Sequence, residues 1–548
     1  MAIANRIHFL SFLRKGPTMC VSATLFAPLL LSACVLSVSS LATDSPELTD
    51  TFGSLYTTNL KEFNDFPIYF DRKIPEWLKG NLIRNGFGQF ENGKRHFLHM
   101  FDSFAKLSSW KITGNNTALF STKFVKSSTY NQSMATDDIA PYLTFIGVEP
   151  PFSRWKQFKS IINGLDNMNV NVYSYHKTAK ANGQDGKGCF ALTDYWKMYE
   201  FNCTTLQTIS AFEAPVPQKS SLGFLNLIST AHPLPEFGTN NSLLFLSTLS
   251  LVPWVKSSVK FIRIHTAEKR EVIASVPVDQ IPYMHSFSTT EHYGILFCHP
   301  MYLNIPKFLK EMHPFDGMDW YGDRPIDVNI INLKTGEIIK MKTENSFVMH
   351  HANAYEDEDG NIIVDAVGYD DPLFVKSMLV ENMVNPAKRK NIPFSAQIRR
   401  YIFNVQNKTS KVHTFSRPSN ETFLTRFDFP TINENYRSKP YCFLYGVALR
   451  AIDNNLTSIA LIKKDVCEKG RDKYYYKTGV YVSEAIFVPT PNAEEEDDGV
   501  LLLPAADAST NKHYLYVIDA KTMTLISQAE LPTTVPYTLH GHFIPEKL

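Results

Sequence analysis

The sequence predicts an all-β protein built as one large closed sheet architecture. Short apolar and aromatic runs, such as "SVKFIRIHT", "NIIVDAVGY" and "IRRYIFNV", recur from about Leu48 onward. Turn-forming stretches such as "TGNN", "EDEDGN" and "DASTNK" separate these runs, and no long amphipathic helical pattern interrupts them. This alternation is typical of β-strands joined by tight turns. A β-propeller is the favoured architecture, because radial repetition protects the sheet edges of a chain this long.

The first 42 residues differ in composition from the rest of the chain. Three basic residues precede the apolar stretch "CVSATLFAPLLLSACVLSVSSLA", and Ser40 and Ala42 occupy the −3 and −1 positions of a cleavage site. This pattern predicts a secretory signal peptide over residues 1–42, followed by a single domain over residues 43–548. The apolar run is also long enough for an uncleaved signal-anchor. An N-terminal extension on a cytosolic enzyme is the remaining alternative.

Sequons and cysteines bear on the same question of compartment. Seven N-x-S/T sequons favour the secretory route and predict a glycoprotein. Beyond residue 42 there are five cysteines, an odd and sparse number that predicts neither a disulfide framework nor a CxxC metal site. A Cys189–Cys203 bridge is left open. The sequons lie at Asn115, Asn131, Asn202, Asn240, Asn407, Asn420 and Asn455.

Charge and missing motifs exclude several classes of function. The 548 residues include 55 basic and 54 acidic side chains, so no electrostatic footprint for nucleic acid is present. The acidic run at residues 494–498 precedes Gly499 and is interpreted as a solvated turn. The chain contains no phosphate-binding loop, no GxGxxG after a strand, no HExxH and no GxSxG. Nucleotide hydrolysis, Rossmann redox chemistry, zincin proteolysis and serine-hydrolase chemistry are therefore disfavoured.

Four of the 16 histidines share a local setting beside apolar segments. They are His232 in "STAHPLPEF", His285 in "YMHSFSTTEHYGILF", His350 in "FVMHHANAYED" and His540 in "YTLHGHF". They are scattered along the chain, so they can meet only where several propeller blades converge, as on the axis. Neutral imidazoles that converge there would suit Fe(II), Zn(II) or Cu.

Several motifs together resemble the carotenoid cleavage oxygenases. They occur in the family's order over roughly residues 50 to 543, and the animal branch, with its β-carotene oxygenases and retinal isomerohydrolase, is the most similar. The motifs are "GNLIRNGFGQFENGKRHFLHMFDSFAKLSSW", "DNMNVNVYSY", "AHP", "MHSF", "HHANAYEDEDGNIIVD", "FDFPTINENYRSKPYCFLYG", "SEAIFVP", "EEDDGVLL" and "LHGHF".

The resemblance implies a seven-bladed β-propeller with a helical and loop cap over its axis. It also implies one Fe(II) per chain on that axis, held by four histidines without a carboxylate ligand. The family's ligand positions fall on His232, His285, His350 and His540. The family pattern F-H-x-x-N-A-x-E aligns His350 with the ligand, so His351 is expected to be a structural neighbour.

The carboxylates that orient these histidines depart from the family pattern. The family has three glutamates, and the matched positions here are Asp194, Asp428 and Glu484. An aspartate is one methylene shorter, so its contact to a histidine could lengthen, run through water or need a backbone shift. The resemblance places Thr193 where a side chain crowds one open iron position, and Phe429 at a wall of the substrate cavity.

The stretch "VEPPFSRWKQF" predicts a membrane-surface patch. Phe152, Trp155 and Phe158 alternate with basic residues there, a composition that suits a membrane interface. An ordinary, partly buried loop helix is an equal alternative. The family's vertebrate members carry a segment here that in one case contains a cysteine, and this chain has none, so lipidation there is not supported.

Three functions are compatible with this sequence. The favoured one is an Fe(II)-dependent dioxygenase that uses dioxygen to cleave a conjugated double bond of a carotenoid or apocarotenoid, in retinoid metabolism. The second is a retinyl ester isomerohydrolase, in which the same iron acts as a Lewis acid and no oxygen is consumed. The third is a propeller that binds lipids or proteins without catalysis. The N-terminus favours the secretory pathway, while the family resemblance favours a cytosolic, membrane-associated enzyme.

Overall fold

The computed structural model confirms the all-β prediction. Strands joined by hairpin turns make up most of the regular structure, and helices are few and short. The predicted leader, residues 1–42, and the domain boundary at residue 43 lie outside the described residues. The structure describes residues 50–177, 186–214, 223–415, 423–450 and 456–546.

The N-terminal part combines antiparallel strands with three α-helices and one 3-10 helix. Its elements are α1 (Thr51–Ser54), β1 (Phe63–Tyr69), β2 (Gly80–Gln89), β3 (Glu91–Asn92), β4 (Arg95–Phe97), a 3-10 helix η1 (Met100–Asp102), β5 (Phe104–Gly114), β6 (Thr117–Phe124), α2 (Ser128–Thr136), β7 (Val148–Glu149) and α3 (Arg154–Asn163). Strands β3, β4 and β7 form a small three-stranded sheet. Ser127 and Ser153 cap the N-termini of helices α2 and α3. Each hydroxyl accepts a backbone N–H bond from the first turn of its helix.

Two antiparallel sheets follow in chain order. Their strands are β8 (Asn171–His176), β9 (Lys187–Leu192), β10 (Met198–Phe201), β11 (Thr208–Phe212), β12 (Phe224–Ser229), β13 (Leu234–Pro235), β14 (Ser242–Ser250), β15 (Ser257–Ile264) and β16 (Arg270–Val278). The first sheet has the order β11-β10-β9-β8. The second has the order β12-β14-β15-β16, and β13 also pairs with β14, so β12 and β13 act as one interrupted edge strand.

The next four-stranded sheet has the order β17-β18-β21-β22, and β19 pairs separately with β20. The elements in this part are β17 (Ser288–Thr289), β18 (Tyr293–Cys298), β19 (Met301–Leu303), α4 (Ile305–Glu311), β20 (Met318–Trp320), β21 (Ile326–Asn332) and β22 (Ile338–Thr343).

The largest sheet has eight strands. Its elements and the helices between them are β23 (Phe347–Glu356), β24 (Ile362–Tyr369), α5 (Leu373–Lys376), α6 (Val380–Val384), α7 (Pro386–Arg389), β25 (Gln397–Asn404), β26 (Thr409–Thr414), β27 (Phe423–Thr431), a 3-10 helix η2 (Glu434–Tyr436), β28 (Phe443–Arg450), β29 (Ile459–Asp465) and β30 (Lys473–Tyr475). The order is β23-β24-β25-β27-β28-β29-β30, with β26 on β25. The pairing of β25 with β27 consists of one residue pair, Gln397 with Arg426.

The last strands return the chain to its beginning. They are β31 (Val480–Val482), β32 (Ile486–Pro489), β33 (Gly499–Asp507), β34 (Lys512–Asp519), β35 (Thr524–Glu530) and β36 (Thr538–Pro545). Strands β31 and β32 both pair with β33, in a sheet continued by β34 and β35. Strand β36 instead completes a sheet of order β1-β6-β5-β2-β36, so the two ends of the described chain share one sheet.

The largest buried cluster lies where many sheets meet. It contains Phe87 of β2, Tyr175 of β8, Leu246 of β14, Phe347 of β23 and Leu539 of β36, all of them buried. Strands from separate sheets therefore share one apolar centre, and burial of this area is the main favourable term in folding.

Two disulfide bonds join described cysteines, Cys189 with Cys203 and Cys442 with Cys467. The first was left open by the sequence. The second corrects the expectation of no disulfide framework, because these two cysteines are 25 residues apart and carry no recognisable spacing motif. Cys298 is a buried free thiol.

The acidic run at residues 494–498 is not simply a solvated turn. Glu496 accepts two backbone N–H bonds at the start of β28, of 2.8 and 2.7 Å. Asp497 forms an ion pair with Lys463, whose side chain is buried. The prediction from charge alone was wrong here, because these two carboxylates hold the turn against β28 and β29.

Candidate metal centre

Four histidines from four separate segments converge in the structure. His232 lies between β12 and β13, His285 lies just before β17, His350 is in β23 and His540 is in β36. Their potential ligand atoms all lie within 4.8 Å of one another. The structure thus brings together all four histidines that the sequence singled out.

Two of these histidines lie at β-bulges. The pairing of β23 with β24 shifts between Val348 and His351, so that two residues, including His350, oppose one. The pairing of β36 with β2 shifts in the same way across His540, between residues 538 and 541. A bulge re-aims a side chain that a regular strand would direct elsewhere. The bulges therefore explain how strand residues reach a common point.

Three carboxylates orient three of the imidazoles. Each accepts a hydrogen bond from a histidine Nδ1, which fixes the tautomer and leaves Nε2 free to donate its lone pair to a metal. The shortened aspartates contact their histidines directly, so the expected lengthening or bridging water is not found. The pairs are His285 with Asp194 at 2.6 Å, His350 with Asp428 at 2.7 Å, and His540 with Glu484 at 2.7 Å.

The inward-facing nitrogens fit a metal ion. His350 Nε2 is buried and has no hydrogen-bonding partner within the described part of the chain. His232 Nε2 and His285 Nε2 lie 2.9 Å apart. Imidazole nitrogens bind such ions at about 2.1 Å, so two of them on one ion lie at most about 4.2 Å apart. All four ligand atoms lie within 4.8 Å of one another, close to the spacing that one such ion requires.

Burial favours the neutral form, which a metal ligand requires, at two of these histidines. Burial and the neighbouring imidazoles hold the pKa of His232 well below 6.5. Burial also lowers the pKa of His540, although Glu484 opposes it. At His350 burial is the largest single effect and lowers the pKa, but the charge and hydrogen bond of Asp428, together with the charges of Glu484 and Asp194, outweigh it, and the pKa is raised.

Each orienting carboxylate has a further buried partner that sequence reasoning missed. The Tyr283 hydroxyl donates to Asp194 Oδ2 at 3.0 Å, and the Tyr369 hydroxyl donates to Asp428 Oδ2. Glu484 Oε2 instead lies 3.3 Å from the guanidinium of Arg84, which is fully buried. No sequence signal pairs these residues, because they meet through contacts between strands distant in the chain.

His351 lies outside the cluster, on the opposite side of its strand from His350. Its ring contacts Phe297, at 5.0 Å between centroids. Its Nδ1 is 2.8 Å from the Ser286 hydroxyl, which also accepts the His351 backbone N–H and donates to the Met349 carbonyl. The expectation that His351 lies behind the ligands or is a structural neighbour stays a prediction.

Phe429 forms part of the wall around two histidines. Its ring centroid lies 5.4 Å from that of His350 and 5.5 Å from that of His540. It adopts a left-handed backbone conformation, with φ of 56°, which is rare for a bulky residue and is found mainly where the surroundings enforce it. Thr193 is buried and directly precedes Asp194. Its predicted role in oxygen access stays a prediction.

The predicted membrane patch is only partly exposed. Trp155 and Phe158 of α3 are 74% and 49% exposed, as a surface patch requires. Phe152 is buried beneath the guanidinium of Arg95, 5.2 Å from its ring, so including Phe152 was wrong. Ile162, also on α3, is exposed and was missed. Among the described residues, helices are too short or too polar to cross a membrane.

Comparison with known families decides which proteins this chain is related to. The family model described as retinal pigment epithelial membrane protein (RPE65) matches residues 58–545. The chain belongs to this family. The match covers the whole strand-rich region, including all four clustered histidines, and it agrees with the resemblance to carotenoid cleavage oxygenases.

Curated relatives of the RPE65 family share about a quarter of their residues with the chain. The rat β,β-carotene 15,15′-dioxygenase is 25% identical over 522 residues, which cover 86% of this chain and 88% of the relative. The carotenoid isomerooxygenase of Galleria mellonella is 26% identical, over 87% and 93% of the two chains. The mitochondrial carotenoid-cleaving dioxygenase of Macaca fascicularis is 26% identical, over 86% and 90%.

Solved structures show the same fold. The cobalt-substituted apocarotenoid oxygenase of Synechocystis superposes with a TM-score of 0.74, at 21% identity, over 90% of this chain and 98% of that one. A chimera of that oxygenase with RPE65 gives a TM-score of 0.73, at 22% identity and the same coverage. At this identity the likeness concerns the fold alone.

Proposed function

We propose that this chain is an Fe(II)-dependent dioxygenase that cleaves a conjugated double bond of a carotenoid or apocarotenoid. The observation that carries the proposal is the buried cluster of His232, His285, His350 and His540, with a carboxylate behind three of them. Membership of the RPE65 family supports it, as do relatives named as carotenoid-cleaving dioxygenases that match over most of their length.

The iron would supply the activation of dioxygen for its addition across the double bond, which yields aldehyde or ketone products. The protein would contribute four neutral imidazoles, which leave the ion its full charge and leave coordination positions open. Asp194, Asp428 and Glu484 would hold the Nδ1–H groups and so keep each ring in its binding orientation. No side chain is needed as a general acid or base in this scheme.

The wall of the site would select the double bond that reaches the metal. Phe429 would present its ring to a polyene beside His350 and His540, and Thr193 would restrict access for oxygen. Apolar walls with few polar groups suit an extended hydrocarbon substrate. These two roles are carried over from the family positions that the residues match.

The strand arrangement supports a seven-bladed propeller with a cap. The eight-stranded sheet is joined in its middle by one residue pair, so it would count as two blades of four strands. With the other four- and five-stranded sheets this makes seven. The short helices α4 to α7 would contribute to the cap over the axis.

A retinyl ester isomerohydrolase is the second candidate, and the RPE65 family match favours it.

One experiment distinguishes the candidate functions. Purified protein reconstituted with Fe(II) is incubated with β-carotene, an apocarotenal or a retinyl ester, and products and oxygen uptake are measured. The proposal expects aldehyde or ketone products with stoichiometric oxygen uptake, lost in His350→Ala. Isomerised alcohol without oxygen uptake would establish the second candidate. No turnover of any substrate by iron-loaded protein would favour a lipid-binding propeller.

Membrane contact through α3 would deliver an apolar substrate. Trp155, Phe158 and Ile162 expose their apolar side chains, and Lys159 is exposed on the same helix. Aromatic and basic side chains together suit a membrane surface. Replacement of Trp155 and Phe158 by serine is expected to reduce sedimentation with anionic vesicles, and unchanged sedimentation would contradict the patch.

Passage through the secretory pathway is the proposed route of the chain. The signal-like N-terminus supports it, as do two disulfide bonds, which persist in oxidising compartments. All five sequons in the described residues, at positions 115, 131, 202, 240 and 407, are exposed. Protein expressed in animal cells is expected to lose apparent mass on removal of N-glycans. No loss of mass would favour the cytosolic, membrane-associated alternative.

A further inference from the structure

We infer that Tyr369 and Asp428 form a matched pair in this chain, in which Tyr369 is a positioning residue for His350. The inference rests on the iron site proposed above. It concerns how the chain accommodates an aspartate where the family has a longer glutamate, and it assigns a role to a tyrosine that no motif identified.

Both oxygens of the Asp428 carboxylate are engaged. Oδ1 accepts the hydrogen bond from His350 Nδ1 at 2.7 Å, and Oδ2 accepts the hydrogen bond from the Tyr369 hydroxyl. Asp428 is 4% exposed and Tyr369 is fully buried, so bulk water cannot replace either contact. The position of this carboxylate is therefore fixed from both sides, and the ring of His350 depends on it.

The Tyr369 hydroxyl has little freedom to move. Tyr369 is the last residue of β24, and its ring stacks on Phe374 at 5.3 Å and meets the edge of Phe394 at 5.8 Å. Its backbone carbonyl accepts a bond of 3.0 Å from the Ser346 hydroxyl. Burial and the charge of Asp428 raise the pKa of Tyr369, so the hydroxyl remains a donor.

The side chains of Tyr369 and Asp428 are matched in length. A glutamate at position 428 would extend its carboxylate by about 1.5 Å, the length of one C–C bond. That extension would push the carboxylate into either the imidazole of His350 or the hydroxyl of Tyr369, because both already touch it. The short side chain of Asp428 and the long side chain of Tyr369 together span the distance from the His350 imidazole to strand β24.

The second shortened carboxylate also has a tyrosine donor, but in a different arrangement. Asp194 Oδ2 alone accepts from both His285 Nδ1, at 2.6 Å, and the Tyr283 hydroxyl, at 3.0 Å, whereas Asp428 uses one oxygen for each donor. At Glu484, where the longer side chain is kept, the further partner is the guanidinium of Arg84 instead. Within the described ranges of the chain a tyrosine hydroxyl thus bonds to each aspartate and none bonds to the glutamate, which is the pattern expected if tyrosine compensates for the shorter side chain.

Titration with Co(II) tests the inference without relying on turnover. Metal-free Tyr369→Phe keeps the ring and loses only the hydroxyl donor. Its Co(II) affinity, measured by competition with a chromophoric chelator, is expected to fall about tenfold, the lower end of the range for changes behind a metal ligand. The visible absorption of bound Co(II) is expected to change as well. Tyr516→Phe is the matched control, because Tyr516 is buried in a separate apolar cluster, and it should equal the wild type in both measurements.

A double variant tests whether the pair is matched in length. Asp428→Glu alone is expected to lose affinity, and adding Tyr369→Phe should recover part of the loss, because the longer carboxylate then has room. The inference is overturned if Tyr369→Phe binds Co(II) as the wild type does, or if the double variant binds more weakly than Asp428→Glu. If Asp428→Glu fails to fold, Tyr283→Phe supplies the same affinity test at His285. Wild-type protein that binds neither Co(II) nor Fe(II) would overturn the proposed metal site itself. That result is distinct from a failure of the pairing between Tyr369 and Asp428, in which the wild type still binds metal.

Discussion

Each carboxylate behind the histidines, two of them buried and Asp194 partly so, is shared between an imidazole and a second donor. Asp194 and Asp428 have tyrosine hydroxyls, whereas Glu484 has the guanidinium of Arg84. Three negative charges in a buried site are costly unless they are compensated. A dication together with the one guanidinium would balance all three carboxylates, which is an electrostatic argument for a divalent ion such as Fe(II).

Replacement of Arg84 tests this charge balance. Arg84→Met keeps an unbranched apolar stem but leaves Glu484 buried without its cation, so the free energy of unfolding is expected to fall by about 3–5 kcal/mol. Urea denaturation of the metal-free protein measures the change. Arg72→Met is the control: Arg72 forms an exposed pair with Asp71, so its loss should cost less than about 1 kcal/mol. Equal stability of Arg84→Met and the wild type would contradict the argument.

At the residue scale, the sequence located the histidines but not what holds them. His350 could be distinguished from His351 because the family pattern fixes one position of the pair. Tyr369 and Arg84 could not be found, because each contacts its carboxylate across strands that are far apart in sequence. Phe152 was wrongly placed on the surface, since its spacing with Trp155 does not reveal that Arg95 covers it.

At the scale of elements, the site is built from interrupted strands. His350 and His540 lie at bulges, and His232 lies in the gap between β12 and β13. Glu484 lies in the corresponding gap between β31 and β32, which both pair with β33. Short strands were predictable from apolar runs and turn residues. The bulges were not, because a bulge depends on the register of a partner strand that the sequence does not specify.

The Cys442–Cys467 bond is expected to stabilise the sheet around β28 and β29. It closes a segment of 25 residues, for which loss of chain entropy predicts a contribution of about 3 kcal/mol to the free energy of unfolding. The variant with both cysteines replaced by serine should therefore unfold at lower urea concentration. Reduction of the wild type also breaks the Cys189–Cys203 bond, so it should lower stability at least as much. Unchanged stability in the double variant would show that the bond contributes nothing.

At the scale of the molecule, the site depends on closure of the chain. Strand β36 supplies His540 and pairs with β2, so the last strand completes both a sheet and the histidine cluster. Fold class was predictable, because strand signals continue without a composition break. The number of blades rested on family resemblance, since the blades share no readable repeat.

Two histidines away from the cluster make the stability of the whole fold depend on pH. Burial lowers the pKa of His99 and of His513 to about 4, from 6.5. Above pH 6.5 both histidines are neutral in the folded and in the unfolded protein. Between pH 6.5 and 4 the unfolded state binds these protons and the folded state does not, so stability falls as pH falls. Each histidine should contribute up to about 1.4 kcal/mol per pH unit.

Urea denaturation of the metal-free protein at pH 7, 6 and 5 measures this dependence. His513→Gln is expected to flatten the slope relative to the wild type, even if the variant is less stable at pH 7. Tyr516→Phe, which alters a buried side chain without removing a histidine, should leave the slope nearly unchanged. An equal slope in His513→Gln and the wild type would contradict the assignment.

Metal content tests the central claim most directly. Protein lacking residues 1–42 is reconstituted with Fe(II) under anaerobic conditions, desalted and analysed for bound iron, together with His350→Ala and His351→Ala. The proposed site predicts about one iron per chain in the wild type and in His351→Ala, and a large loss in His350→Ala. Absence of iron from the wild type, or equal retention in His350→Ala, would contradict a four-histidine iron centre.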